Sequence, residues 1–547
     1  MKKNKKRDTI FKLGIYTITM ILTIIYIIFR IFYTLPIHFG IITLIIGIFV
    51  LLLEIFETID FTIYYMNILW HSKKSPNIPK IKKTEYPDVD VLIATINEKE
   101  ELLEDTIKAC LKMKYPNKKK IHIYLCDDGN RKEIKKLAKK HKINYITRNN
   151  NKNAKAGNYN NALKNTSSPY IATFDADMKP TPDFLLKTIP FFIKEEKVGF
   201  VQLPQSFINP DIFQLRFGVS NLIPFEQDYF YHRIQLAKNN INSTIYCGTN
   251  AILSREALNE TNGFALNTIT EDFATGLLIE SKGYKGIALS DIEAYGDSVN
   301  DLEAFAKQRS RWARGCIQTL KNHKIIRNKG LTIRQKLDYL ASVFYWFFGI
   351  RRIIYLIIPL LFSLFGIMII DCNLVLFLYL FIPQYFMKRI VLDLVEDNRR
   401  SATWNKIYEI ILSPILAKEV LKELFGFGNT KFEVTPKEKI SFKMTKTNKK
   451  LLIIHSVLLL FSILGLLLSI YKISLLAFSV YLVPLAWIAT NIIYLIVAIR
   501  FDLGIKPVDY NNFKPNNMKY YDFKSFFEIF ISVFKKKIKN ESEVEEI

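Results

Sequence analysis

The sequence has little cysteine and a shortage of acidic residues. Its five cysteines are scattered over 547 residues without a C-x-x-C pair, which argues against a disulfide framework and a zinc site. We find no RNA- or DNA-binding motif. Only 51 Asp and Glu face 76 Lys and Arg, so the formal net charge is +25. Either a nucleic-acid partner or cytoplasmic membrane loops would account for this excess, and its location decides between them.

Long apolar runs are absent from the middle of the chain but present near both ends. Near the N-terminus, Leu13–Phe29 and Phe39–Phe56 are each about long enough to cross a bilayer as a helix. The first run is too long for the apolar region of a signal peptide, and a second run follows at once. We therefore predict a membrane hairpin that begins in the cytoplasm, where the basic head of the chain would lie.

Four more apolar runs follow the middle region, at residues 353–370, 373–387, 451–471 and 474–499. Two amphipathic segments, 337–352 and 404–426, are predicted to lie at the membrane interface. Six spans in three hairpins would keep every long basic loop on one side of the membrane. The positive-inside rule then explains the net charge without a nucleic-acid partner.

The middle of the chain alternates short apolar segments with helix-like segments. Val89–Thr95, Ile121–Gly129, Asn144–Arg148, Tyr170–Phe174 and Gly199–Leu203 read as strands separated by helices. This alternation predicts βαβ units and a mostly parallel sheet that is covered on both faces. We predict four parts: a hairpin (1–72), a cytoplasmic domain (73–329), interfacial helices with two hairpins and a connecting loop (330–500), and a cytoplasmic tail (501–547).

Acidic side chains follow three of the predicted strands. Glu98 comes after the first strand, Asp127 after the second, and Asp175 and Asp177 after the fourth. Ligands bind beyond the carboxyl ends of strands in such sheets. Residues i and i+2 of an extended segment point the same way, so Asp175 and Asp177 can converge on one Mg²⁺ or Mn²⁺ that also binds phosphate. Any one of these acids alone could merely cap a helix.

Two further segments carry candidate site residues. In the T-E-D sequence, Asp272 falls in the first turn of a predicted helix, where the dipole favours the ionised form that a general base needs. In Q-R-S-R-W, the residues Gln308, Arg311 and Trp312 share one helix face. An arginine suits a phosphate, and the aromatic plate suits a sugar ring. The alternatives are a charge that only complements the dipole and a solvated basic helix with one buried tryptophan.

Seven short motifs occur in order between the membrane segments. They are D-D-G at Asp127–Gly129, A-K-A-G-N at Ala154–Asn158, D-A-D at Asp175–Asp177, Q-L-P-Q-S-F-I-N-P-D at Gln202–Asp211, Y-C-G-T-N at Tyr246–Asn250, T-E-D at Thr270–Asp272 and Q-R-S-R-W at Gln308–Trp312. Together they resemble the processive family 2 glycosyltransferases, most nearly the bacterial cellulose synthase catalytic subunits. Phe432–Lys437 is similar to the gating loop of that family.

The resemblance implies an α/β domain of the glycosyltransferase-A type, with a mostly parallel sheet, inserted in an all-α membrane domain of about six transmembrane helices plus interfacial helices. It also implies a role for each matching residue. Asp127 would contact uracil, Lys155 would lie near the phosphates, and Asp175 and Asp177 would hold donor and metal. Asp272 would be the general base, and Gln308, Arg311 and Trp312 would line the site.

The implied reaction is inverting polymerisation of a nucleotide sugar, with UDP-glucose and a cellulose-like β-1,4-glucan as the best match. The cofactor would be Mg²⁺ or Mn²⁺. The partners would be the donor, the growing glycan and membrane lipids, with accessory export subunits left open. The resemblance further implies a multi-pass protein of the cell membrane whose catalytic domain is cytoplasmic and whose product passes between its membrane helices.

The sequence departs from the family pattern at Met178, where histidine often follows the D-x-D, so metal affinity could differ. The short tail lacks an R-x-x-x-R signature, and we expect no regulation by cyclic di-GMP. Three alternatives stay open: a non-processive enzyme with a lipid acceptor, a synthase of another β-glycan from UDP-N-acetylglucosamine or GDP-mannose, and a membrane scaffold or transporter with an inactive transferase domain. The intact Asp175, Asp177 and Asp272 argue against the last.

Overall fold

The computed structural model describes residues 2–69, 75–217, 223, 225–396, 402–427, 447–473 and 478–504. The predicted gating loop at 432–437 and the tail beyond residue 504 lie outside these ranges. The chain begins with two long helices rich in Ile and Leu, α1 (Lys2–Tyr33) and α2 (Ile41–Leu69). These helices form the predicted N-terminal hairpin.

The middle of the chain folds as an α/β domain. Its helices are α3 (Glu100–Lys112), α4 (Lys132–Lys140), α5 (Ala154–Lys164), α6 (Phe184–Lys194), α7 (Ile212–Phe217), α8 (Gln235–Lys238), α9 (Arg255–Glu260), α10 (Glu271–Ser281) and α11 (Leu302–Asn322). Its strands are β1 (Val89–Thr95), β2 (Ile121–Asp127), β3 (Asn144–Thr147), β4 (Tyr170–Asp175), β5 (Lys179–Pro180), β6 (Val198–Gln202), β7 (Ser206–Phe207), β8 (Ala251–Ser254), β9 (Lys285–Ala288) and β10 (Ala294–Gly296).

Seven of the strands form one sheet in the order β3-β2-β1-β4-β8-β6-β9. All neighbours run parallel except β8, which is antiparallel to both β4 and β6. The strands β5, β10 and β7 form a second, small sheet. This arrangement confirms the predicted mostly parallel sheet, and the antiparallel β8 is a strand that the sequence pattern did not reveal.

Alternate side chains of the central strands supply two buried cores, one on each face of the large sheet. Val91, Ile93 and Phe174 belong to one core, while Leu92 and Phe200 belong to the other. Because both faces are covered by helices, β1 and β4 read as nearly continuous apolar runs. The sheet is therefore a rigid platform, and the carboxyl ends of its parallel strands stay at one edge.

The C-terminal region is helical. Its helices are α12 (Ile333–Phe344), α13 (Phe348–Phe365), α14 (Leu374–Glu396), α15 (Ala402–Leu424), α16 (Lys449–Ile473) and α17 (Phe478–Leu503). A third apolar core joins this region to the α/β domain, with Phe213 and Ile317 on the domain side and Tyr339, Trp404 and Phe501 on the helical side. The α/β domain and the C-terminal helices thus share one buried apolar interface.

Six helical segments in the described ranges are long and apolar enough to cross a membrane: Ile10–Tyr33, Ile41–Ile68, Ile333–Phe365, Leu374–Leu392, Lys449–Ile473 and Val480–Leu503. Their number equals the six predicted spans, and the α/β domain lies between the second and the third. The predicted fold class is confirmed. The third segment begins earlier than predicted, because a single turn of 3-10 helix, Tyr345–Phe347, joins α12 to α13.

Candidate active site

The predicted site residues meet around one cavity of about 860 Å³. Its lining includes seven of the eight candidates: Lys155, Asp175, Asp177, Asp272, Gln308, Arg311 and Trp312. The elements β4, α5, α10 and α11, distant in sequence, bring them together. The cavity also reaches Glu57 on α2, Lys388 on α14 and Glu409 on α15, so it continues from the sheet edge to the helical region.

Asp127 is the one candidate that the cavity lining does not include. It is fully buried, and its carboxylate accepts hydrogen bonds from the backbone N–H of Gly129 (2.9 Å) and the hydroxyl of Tyr145 (3.0 Å). The guanidinium of Arg131 also pairs with it at 3.0 Å. The neighbouring Asp128, which pairs with Arg148, does line the cavity. The predicted contact between Asp127 and uracil stays a prediction.

Lys155 connects the D-A-D motif to the Y-C-G-T-N motif. Its ammonium donates to Asp175 Oδ1 (2.5 Å) and to the carbonyl oxygen of Gly248 (2.8 Å). Burial works to lower the pKa of Lys155, but the carboxylates of Asp175 and Glu271 outweigh it and hold the pKa above its usual value. The lysine therefore stays charged and supplies a fixed positive charge beside Asp175.

Gly248 allows a close approach that a larger residue would prevent. Its φ is +77°, and a Cβ at this position would lie 3.0 Å from Asp272 Oδ2 and 3.3 Å from Lys155 Nζ. The preceding Cys247 donates its backbone N–H to Gln202 Oε1 at 2.8 Å. The first glutamine of the Q-L-P-Q segment thus fixes the loop that brings the backbone against Asp272.

Asp272 lies in the first turn of α10, as predicted, and its Oδ1 accepts the backbone N–H of Phe273 at 2.8 Å. The expectation that the helix dipole keeps its pKa low is wrong. Burial raises the pKa of Asp272, and it outweighs the opposing effects of that hydrogen bond, Lys155 and Arg311. Burial and the adjacent Asp272 also raise the pKa of Glu271, to about 7. A raised pKa makes a carboxylate a stronger base, which suits the predicted role.

The start of α10 packs tightly against α11. A Cβ at Gly315 would come within 2.3 Å of Thr270 Oγ1, so only glycine leaves room for this contact. The backbone N–H of Ile269 donates to Gln318 Oε1 at 3.0 Å. These contacts set the distance between Asp272 and the face of α11 that carries Arg311 and Trp312. The indole of Trp312 in turn meets that of Trp346 edge to face, with 6.4 Å between centroids.

The D-A-D motif offers the type of ligand atom that a divalent cation prefers. Asp175 and Asp177 both line the cavity and offer hard oxygen donors, which suit Mg²⁺ or Mn²⁺ when phosphate oxygens complete the coordination. No group of three His, Cys, Asp or Glu side chains with metal-ligand geometry occurs in the described residues. The side chain of Met178 is 2% exposed and packs in the apolar core against Gly296.

Sequence reasoning missed Arg309, which also lines the cavity. The residue stands inside the Q-R-S-R-W motif, but the i, i+3, i+4 pattern of Gln308, Arg311 and Trp312 left it out. The structure places its guanidinium 4.2 Å from the Trp312 ring centroid. Its spacing from the aromatic residues Phe305 (i−4) and Trp312 (i+3) is the signal that could have shown this contact.

Comparison with known proteins gives two consecutive family matches. The family described as Glycosyl transferase family 2 matches residues 90–261, and the family described as Cellulose synthase matches residues 259–471. The cellulose synthase catalytic subunit [UDP-forming] of Pseudomonas fluorescens (strain SBW25) is 33% identical over 384 residues, which cover 70% of this chain and 52% of that protein. Its counterpart in Komagataeibacter sucrofermentans is 30% identical over 476 residues, 86% of this chain and 63% of that protein.

Similarity to solved structures is weaker. The mannosyltransferase PcManGT from Pyrobaculum calidifontis, solved in complex with GDP-Man and Mn²⁺, superposes with a TM-score of 0.47 at 18% identity, over 70% of this chain and 98% of that one. The chain spans between half and two thirds of the length of the two sequence relatives named above. The chain thus matches the glycosyl transferase 2 and cellulose synthase families in consecutive segments, which confirms the resemblance predicted from its motifs.

Proposed function

We propose that the protein is a membrane-bound, processive, inverting glycosyltransferase. It polymerises a nucleotide sugar, UDP-glucose in the first instance, into a cellulose-like β-1,4-glucan and extrudes the product across the membrane. The observation that carries the proposal is one continuous cavity. It begins at the acids of the sheet edge, passes Asp272 and Trp312, and ends among α2, α14 and α15. A polymer made at one end would enter the helical region without leaving the protein.

The catalytic step is a single displacement at the anomeric carbon of the donor. Asp272 takes the proton of the acceptor hydroxyl, the acceptor oxygen forms the new glycosidic bond, and the bond to the β-phosphate of UDP breaks. Attack from the side opposite the phosphate converts an α-linked donor into a β-linked product. The raised pKa of Asp272 favours the proton transfer, because its carboxylate is then more basic than an exposed aspartate.

The leaving diphosphate needs positive charge. Lys155, which stays protonated, and Arg311, which lines the same cavity, are the chain's own sources of it. A Mg²⁺ or Mn²⁺ ion held by Asp175 and Asp177 would neutralise further charge on the diphosphate when bound. Lys155 already contacts Asp175, so the ammonium and the ion would share that carboxylate.

The acceptor would lie against Trp312. A sugar ring presents apolar C–H groups to an aromatic plate, and Trp312 provides one in the lining of the cavity. Gln308 and Asp272 lie in the same lining and can bind its hydroxyl groups. The catalytic domain would face the cytoplasm, where nucleotide sugars are available, and the six apolar helices would hold it at the membrane.

The proposal is tested with the purified protein in lipid nanodiscs. UDP-glucose, UDP-N-acetylglucosamine and GDP-mannose, each radiolabelled, are supplied with Mg²⁺ or Mn²⁺, and any polymer is digested with linkage-specific glycosidases. We expect incorporation from UDP-glucose into a product that a β-1,4-glucanase degrades. Transfer of a single sugar to lipid would support the non-processive alternative instead, and incorporation from another donor would replace glucose as the substrate.

A further inference from the structure

Arg309 is a buried cation enclosed by two aromatic rings. Its guanidinium carbon lies 4.3 Å from the ring centroid of Phe305 and 4.2 Å from that of Trp312. The three residues stand at i−4, i and i+3 on α11, so they share one face of the helix. Only 2% of the Arg309 side chain is exposed. The planar guanidinium therefore supports the Trp312 indole from within the protein.

The charge of Arg309 is compensated inside the cavity wall. Its Nη2 pairs with the carboxylate of Glu226, whose side chain is 17% exposed, and its Nη1 donates to Gln308 Oε1 at 3.1 Å. A guanidinium buried without a carboxylate would be costly, so Glu226 compensates the charge of Arg309 and holds it in place. Arg309 thus contacts both Trp312 and Gln308, two of the three residues assigned to this wall.

Glu226 is itself anchored to the Q-L-P-Q-S-F-I-N-P-D segment. Its backbone N–H donates to Asp211 Oδ2 at 2.9 Å. The adjacent Phe225 stacks on Phe207 of β7, with 5.0 Å between centroids and 16° between planes. Contacts therefore run from this segment through Glu226 and Arg309 to the aromatic plate. They join two motifs that are almost a hundred residues apart in sequence.

We infer that Arg309 is a positioning residue that fixes Trp312 and Gln308 for the acceptor sugar. This inference rests on the proposed function. Arg309 acts through its neighbours, because its two faces are covered by Phe305 and Trp312 and its Nη2 is held by Glu226. Without the guanidinium, the indole is free to adopt other rotamers. Acceptor binding then includes the entropy cost of ordering the indole, which weakens the affinity for the acceptor.

A double-mutant cycle tests the inference. The variants R309M, W312A and R309M/W312A are assayed for polymer synthesis with a soluble β-1,4-linked oligosaccharide as acceptor. We expect each single variant to raise the acceptor KM about tenfold and the double variant to raise it no further, because both remove the same interaction. The affinity for UDP should be unchanged in all three. Additive effects, about a hundredfold in the double variant, would overturn the inference.

Two further variants separate positioning from folding. R309K keeps the charge beside Glu226 but lacks the planar face, so we expect a stable protein with a raised acceptor KM. Arg314 is the control, since it pairs with Glu423 at 3.0 Å on the same helix, with 14% of its side chain exposed. R314M should lower the thermal stability and leave the acceptor KM unchanged. An R309K enzyme with the wild-type acceptor KM would contradict the inference.

A spectroscopic readout keeps the result independent of turnover. The near-ultraviolet circular dichroism band of Trp312 is obtained by subtracting the spectrum of W312A from that of the wild type. In the R309M background the same band is obtained by subtracting the spectrum of R309M/W312A from that of R309M. We expect R309M to lose most of this band relative to the wild type, and a band of full strength would overturn the positioning role. If the wild type transfers no sugar from any donor, the proposed function fails, whereas an active wild type with an additive cycle means that only the inference fails.

Discussion

At the scale of single residues, the site depends on how burial and neighbouring charge act on one carboxylate. Asp272 lies in the first turn of α10, yet burial outweighs the helix dipole and raises its pKa. A base that is partly withdrawn from water is a better proton acceptor, and Lys155 and Arg311 oppose the rise in its pKa by favouring the ionised form. Asp272 therefore combines raised basicity with two neighbouring cations that favour the charged form, which the proposed displacement requires.

Replacement of Asp272 by asparagine tests its role as general base. D272N removes the proton acceptor but keeps the size of the side chain, so the protein should fold and bind UDP normally. We expect the rate of sugar transfer to fall at least about a hundredfold, within the range for loss of a general base. Transfer rates and UDP affinity are measured on the same preparation. Substantial turnover in D272N would exclude this residue as the base.

The pH dependence of transfer follows from the same raised pKa. The base has to be ionised, so activity is lost as the pH falls through its folded pKa. Because burial raises that pKa, we expect the loss at a higher pH than for an exposed aspartate. E271Q serves as the control, since it removes the adjacent carboxyl, whose pKa burial raises to about 7, and retains Asp272. An acid limb of kcat/KM that disappears in E271Q would assign the titration to Glu271 instead.

At the scale of elements, the contact between α10 and α11 sets the geometry of the site. The two helices carry the base and the acceptor plate, and Gly315 allows them to approach. G315A would place a methyl group against Thr270, which we expect to destabilise the protein by about 1–3 kcal/mol and to lower turnover. K307A, at an exposed position of the same helix, should change stability by less than about 0.5 kcal/mol. Thermal unfolding and transfer rates are measured for both, and equal behaviour would contradict this account.

The elements also show what sequence patterns can and cannot predict. The strand at Val89–Thr95 was predicted to the residue, because a buried parallel strand is a nearly continuous apolar run. The strand β8, Ala251–Ser254, was missed because four residues, three of them apolar, are too few to show a periodicity, and its partners β4 and β6 are far away in sequence. Spacing placed Gln308 and Trp312 on one face, but the ion pair between Arg309 and Glu226 depends on tertiary contacts that no local pattern contains.

At the scale of the whole molecule, a buried polar junction connects the hairpin, the catalytic domain and the C-terminal helices. The Asp338 carboxylate on α12 pairs with Lys238 of α8 and accepts hydrogen bonds from Asn67 of α2 (2.8 Å) and Ser243 (2.8 Å). Asp338 and Lys238 are 6% and 3% exposed. These contacts fix the position of the α/β domain relative to α2 and α12.

Loss of this junction should be costly. D338L removes the carboxylate and leaves the ammonium of Lys238 buried without it, so we expect a loss of about 3–5 kcal/mol in stability. The exposed pair of Lys114 and Asp183 is the control, and K114A should cost no more than about 1 kcal/mol. Unfolding in detergent is followed for both variants. Similar losses would mean that the junction does not hold the two regions together.

The most direct test of the account is where the polymer appears after synthesis. The protein is reconstituted into sealed vesicles, and radiolabelled UDP-glucose with Mg²⁺ is added only to the outside, so that outward-facing catalytic domains alone can react. The account predicts labelled β-1,4-glucan that resists added glucanase until detergent opens the vesicles, and none with D272N. Polymer that glucanase degrades before detergent is added, or label found only on single-sugar lipids, would contradict synthesis coupled to translocation.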